Sequence, residues 1–190
     1  RKIKEKINSK IPLKKVREEI LARLEKNKDS ESSLVYSTER FIDGRRALIG
    51  GLADRMKGAA TVMLLSIALG RRFEIEWNHP EDIRRIYDFS NYDWSLRHDN
   101  DVNLEVDLID KNFDTEIRKI MKEKLLGGLF PEEESRIKVF CNSVEVGVGK
   151  NDRYADQFSD SFMTLNRMDL VGSFLSLLEY RPGLEESMIL

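Results

Sequence analysis

The chain has one cysteine, two histidines, little excess of either charge and no long hydrophobic run, and each shortage removes a class of function. With Cys141 alone, an intrachain disulfide is impossible and a cysteine-based zinc cluster is excluded. A single thiol also favours a reducing, cytoplasmic setting. His79 and His98 stand at no metal-ligand spacing and beside no nucleophile, so both are expected in loops and no metal is expected. Asp99, Asn100 and Asp101 resemble half of a calcium loop, but the glycine and distal glutamate that complete one are missing. Lys and Arg number 32 against 34 Asp and Glu, a formal charge of −2, which leaves no global attraction for nucleic acid. The longest apolar run, Ala59 to Leu69, contains Thr61 and Ser66 and is too short to span a bilayer. The chain opens on Arg1 with no visible signal peptide, as expected of a processed form or an excerpt.

What is present is organised around Ile49-Gly50-Gly51-Leu52-Ala53-Asp54-Arg55-Met56-Lys57-Gly58. Paired glycines let the backbone turn sharply and approach a ligand without a Cβ in the way. The apolar positions Met56, Ala59, Ala60, Met63, Leu64, Ile67 and Ala68 have helical spacing, and Gly70 is a stop signal. The alanines predict close packing on a sheet. A helix starting at such a turn aims free N–H groups and its positive dipole end at whatever lies above, so an anion, a phosphate in particular, is the favoured occupant. The plain alternative is a strand-to-helix turn with no ligand, which the dipeptide alone supports equally. The stretch fits neither G-x-G-x-x-G nor G-x-x-x-x-G-K-[ST], which disfavours a dinucleotide fingerprint and a P-loop.

The 190 residues suffice for one large domain with a proper core. Residues 1–27 read as a basic amphipathic helical segment, with Ile3, Ile7 and Ile11 in one stripe, Pro12 as a kink, and Leu13, Val16, Ile20, Leu21 and Leu24 in a second stripe. Such a segment is expected to pack on its own domain or a neighbour, ahead of membrane contact through residues 1–26. Residues 28–33 form a polar linker, and residues 34–190 form the α/β domain.

Leu34 to Ser37 predict a first strand that Arg40-Phe41-Ile42 extend, with Asp43-Gly44 as a turn. Phe73, Ile75 and Trp77 alternate with Glu74 and Glu76, predicting a strand with one buried face. Val102 to Leu108 and Ile137 to Cys141 alternate as further strands, the latter extended by Val144 to Val148. Helices are expected near 113–125, before Gly127-Gly128, and over 159–165 and 170–178, the last N-capped by Asp169. Strands alternating with helices predict a three-layer, Rossmann-like α/β domain with a mainly parallel sheet.

The segment from Arg46 to Trp77 resembles the N-terminal half of the α1,6-, α1,2- and protein O-fucosyltransferase superfamily, nodulation fucosyltransferases included. The resemblance rests on Gly50-Gly51-Leu52-Ala53-Asp54-Arg55, the apolar helix to Leu69, Gly70-Arg71-Arg72 and Phe73-Glu74-Ile75-Glu76-Trp77. A weaker echo lies at Phe174-Leu175 and Arg181-Pro182-Gly183. It implies the N-terminal, acceptor-side half of a GT-B glycosyltransferase, inverting and metal-independent, with GDP-fucose as donor and a glycan or protein as acceptor. It also implies a C-terminal donor-binding domain in the same polypeptide, because the His-x-Arg segment that meets the leaving diphosphate in such enzymes is missing here.

On that resemblance Asp54 is the candidate base or acceptor orienter, while Gly50, Gly51, Leu52 and Arg55 bind substrate. The plainer expectation is that Asp54 is a helix N-cap and that Arg55 locks the turn by a salt bridge. A non-catalytic α/β binding or scaffolding domain is the competing reading, and a different phosphate-binding α/β enzyme is a third.

Overall fold

Five buried residues, β1 (Ser33–Ser37), form one of the two inner strands of a four-stranded sheet in the computed structural model, which describes residues 13–48, 50–79, 82–88, 92–96, 102, 104–108, 130–142 and 167–180. The order is β4 (Arg72–Glu76), β1, β7 (Arg136–Phe140), β6 (Leu104–Asp107), and every pairing is parallel. A separate antiparallel pair joins β5 (Tyr87–Asp88) to β8 (Glu179–Tyr180). The chain is thus an α/β protein with a parallel sheet, as the alternating pattern predicts. The basic segment before residue 13, His98, the Asp99–Asp101 stretch, the helices expected near 113–125 and 159–165, Val144–Val148 and Arg181-Pro182-Gly183 lie outside the described residues.

One stretch is allotted differently from the sequence reading. Residues 40–42 do not extend β1. They belong to β2 (Glu39–Ile42), which folds back antiparallel onto β3 (Arg45–Leu48) as a separate hairpin. Its two-residue turn, Asp43 (φ 50°) and Gly44 (φ 72°), has the left-handed conformation that Asp-Gly favours and that matches strand twist. The strand leading into the glycine turn is therefore a hairpin arm, not a member of the main sheet.

From the turn rises α2 (Leu52–Leu69), closed by Gly70 in the left-handed region at φ 67°. Linking two adjacent parallel strands obliges the chain to cross back over the sheet. The helix consequently begins at the C-terminal edge of the strands and ends at the N-terminal edge. Nearly all of α2 from Arg55 to Ala68 is buried, because β1 and β4 cover one side while α1 (Leu13–Asn27) and α3 (Arg167–Leu175) pack on others. Val16, Ile20 and Leu24 place α1 in that same core. Gly58 sets the approach distance: a Cβ there would lie 1.9 Å from the Cys141 carbonyl oxygen and 2.9 Å from Cε2 of Tyr36. Asp169 falls inside α3 rather than capping it, since the helix begins at Arg167. Among the described residues no helix is long and apolar enough to cross a membrane.

The two faces of the sheet differ in chemistry. Leu34, Phe73, Ile137 and Leu104 share one register row, and Tyr36, Ile75, Val139 and Val106 the next, all facing the helices. The opposite face is charged but not open to water. Glu74, expected opposite the one buried face, is only 2% exposed, and so is Arg72 beside it. The Glu74 carboxylate accepts from Arg136 Nη2 at 2.9 Å, reaching over β1, and pairs with Arg72 Nε at 3.3 Å. Arg72 also donates to the carbonyls of Lys28, Asp93 and Ser95. Strict alternation fails at β4 because its counter-charge comes from a strand 62 residues away.

Glu74→Ala would leave two buried guanidinium groups without the carboxylate between them. A loss of about 3–5 kcal/mol is expected in urea unfolding, against a clearly smaller loss for Lys138→Ala, whose partner Glu76 is partly exposed.

Candidate functional site at the C-terminal edge of the sheet

In an open parallel sheet the C-terminal edge is where connections diverge and leave room for a ligand. Here the chain leaves β1 for β4 on one side, while β7 and β6 lie on the other. The glycine turn, the β2–β3 hairpin and the residues just past β4 and β7 gather around this edge.

At the turn Gly50 has φ 52°, a conformation that favours glycine. A Cβ on it would also lie 2.7 Å from Asp54 Oδ2, so the Asp54 carboxylate sits directly over the turn. Gly51 is the N-cap and makes no side-chain cap. Asp54, three positions on, accepts from the Gly51 N–H, which is the reciprocal half of a capping box. Its other close partner is Lys57 Nζ at 3.0 Å. The hydrogen bond from Lys57 is the main reason its pKa lies below the usual carboxylate value, with the Gly51 N–H adding to it. The expected N-cap role of Asp54 is thus corrected by three positions: the carboxylate serves the helix N-terminus from within the first turn.

Arg55 is 6% exposed and turned inward. Its Nη1 donates to the His79 carbonyl at 2.6 Å and its Nε to the Gly50 carbonyl at 3.3 Å. The guanidinium also stands 6.0 Å from the centre of the Trp77 ring, which meets Tyr36 edge-on at 6.3 Å. Arg55 therefore ties the turn to the loop after β4 through two carbonyls and an aromatic face. Leu52 is 62% exposed and, with Met56, Trp77, Ile83, Ile86 and Tyr87, lines an apolar groove of about 260 Å³ beside the first turn of α2.

Several features of this edge carry no sequence signal. Tyr36 Oη and Thr38 Oγ1, at and just beyond the end of β1, are buried with no hydrogen-bond partner among the described residues. Burial pushes the Tyr36 phenol well above its ordinary range. On the charged face a second recess, of about 120 Å³, lies between the hairpin and the sheet. Glu39, Arg40 and Phe41 form its hairpin wall, and Glu76, Lys138 and Phe140 its sheet wall. The hairpin signal Asp43-Gly44 was readable, but not that its arm would face these strands. Among the described residues no group of three or more His, Cys, Asp and Glu side chains is placed to hold a metal ion.

Comparison of the chain with protein families, with curated proteins and with solved structures returned no match.

Because the folded-state pKa of Asp54 is depressed, its contribution to stability is present above the unfolded-state value and is lost as pH falls through the folded-state one. Asp54→Ala is expected to unfold at lower urea than the parent chain at pH 7. That gap should close in urea titrations run progressively below pH of about 4.

Proposed function

We propose that this chain is the acceptor-side half of an inverting, metal-independent glycosyltransferase of the fucosyltransferase kind, with GDP-fucose as donor. The observation supporting it is the glycine turn opening α2 at the C-terminal edge of a parallel sheet, carrying the Gly50-Gly51-Leu52-Ala53-Asp54-Arg55 pattern. In such a transfer the acceptor hydroxyl attacks the sugar carbon, the bond to the diphosphate breaks, and the hydroxyl proton leaves to a base.

Asp54 is suited to orienting the acceptor. Its lowered pKa and its partners Lys57 and Gly51 keep it ionised and fixed, but make it a weak proton acceptor at neutral pH. Arg55 acts as a positioning residue through the carbonyls of Gly50 and His79. Gly50, Gly51 and Leu52 form the wall that meets the substrate. The cation that meets the leaving diphosphate belongs, on this reading, to a donor-binding domain of the same polypeptide.

A second reading has its own support. Asp54 and Arg55 are both engaged in building the turn, which is what a non-catalytic binding or scaffolding domain would retain.

Calorimetric titration of GDP-fucose, with GDP as control, into the longer parent polypeptide and into this chain separates the two. Binding by the parent with little or none by this chain is the expected result. In the parent, Asp54→Ala should lower kcat/KM about 10²-fold through misplacement of the acceptor. Absence of binding by both would overturn the transferase reading and leave the scaffold.

A further inference from the structure

The recess between the β2–β3 hairpin and the charged face of the sheet has no role in the chemistry above, and its lining is specific. Its volume of about 120 Å³ is several times the ~10–15 Å³ that one water needs. Three carboxylates line it, from Glu39, Glu76 and Glu105, against two cations, Arg40 and Lys138, with Asn78 adding an amide. Both cations already have carboxylate partners: Lys138 Nζ is 2.8 Å from Glu76 Oε2, and Arg40 Nη1 donates to Asp107. An anionic ligand would have to displace one of those carboxylates and then face the others. Arg40 Nε is nonetheless buried and without a hydrogen-bond partner among the described residues, so a donor is left over for an uncharged oxygen. Phe41, 68% exposed on the hairpin, offers one apolar ring face to the same opening.

Closely spaced donors and acceptors of both kinds, little net charge and an exposed aromatic ring together match one ligand chemistry. Hydroxyl groups both donate and accept, and the C–H face of a sugar ring is apolar enough to lie on an aromatic side chain. We propose that this recess is a binding site for one unit of a neutral saccharide, stacked on Phe41 and hydrogen-bonded to Glu105, Arg40 and Lys138. The inference rests on the sugar-transfer reading only in its choice of ligand to try first. The glycine turn is a separate part of the edge, on the other face of the sheet.

The test is amide chemical-shift mapping of the full chain with lactose and with chitobiose, using glucuronate and inorganic phosphate as anionic comparisons. Saturable shifts at Arg40, Phe41 and Lys138 with a neutral disaccharide are expected. Affinity should fall about tenfold or more in Phe41→Ala and in Glu105→Gln. Both side chains are exposed, so the variants should keep the parent's unfolding midpoint, and that midpoint is checked first. No shift at these residues with either disaccharide, shifts indifferent to both variants, or stronger binding of phosphate or glucuronate at the same residues would each overturn the proposal. The outcome is independent of GDP-fucose. Saccharide binding here with no GDP-fucose binding by the parent would sink the transferase reading and leave this site standing.

Discussion

A carboxylate held between two guanidinium groups governs how the sheet is assembled. Glu74 on β4 reaches over β1 to Arg136 on β7, while Arg72 approaches it from its own strand. Because side chains alternate faces along a strand, sliding β4 by one residue would carry this charge into the apolar face against the helices. Removing three charged groups from water is costly, and the attraction between them recovers much of that cost without a large surplus. What the arrangement favours is this register over a shifted one, in which the same charges would be buried without their partners. Correct register in turn brings the ends of β1, β4 and β7 level, and the candidate site is built on those ends.

The sheet's two faces divide the work. The helix-facing side is ordinary hydrophobic construction, drawn tight where Gly58 lets α2 approach the Cys141 carbonyl. A methyl group at that position would push helix from sheet about two helical turns along α2 from the glycine turn. The opposite side is a ladder of charge, from Arg72 and Arg136 through Glu74 to the Glu76–Lys138 and Arg40–Asp107 pairs. Along it the partners change from wholly buried to partly exposed as the strands approach their C-terminal ends. The same chemistry therefore serves as framework at one end and as lining at the other.

Much of this was legible in the residues. The 3.6-residue pattern and Gly70 marked α2, and period-two patterns marked β6 and β7, because these elements each bury one consistent face or stripe. Asp43-Gly44 announced a turn for the same local reason. Failures came where a distant partner decides. Glu74 looked solvated since its counter-ion sits on β7, and residues 40–42 looked like more of β1 because a hairpin arm and a strand extension share one propensity. Gly58 did have a signal, a glycine in mid-helix, which usually marks a close approach. Asp54 and Arg55 were found by position; the Asp54–Lys57 pair follows the i,i+3 spacing of a helix, but the orientation of Arg55 behind the turn depends on His79 and Trp77, which no spacing rule connects. The charged recess was invisible, being assembled from the hairpin, β4, β6 and β7.

The hairpin between β1 and α2 has a consequence for how such a domain can change. It is tethered at both ends, by the Thr38 N–H bonded to the Glu76 carbonyl at 3.1 Å and by the turn that caps α2. Lengthening a segment with fixed ends costs little, about 0.6 kcal/mol per doubling of a flexible loop. Floor and wall of the recess therefore answer to different constraints. The floor is written into strands that must stay in register, while the wall can be rewritten, extended or exchanged with small effect on folding. Change in the hairpin around Phe41 would thus reshape the recess while the core sequence stays unaltered.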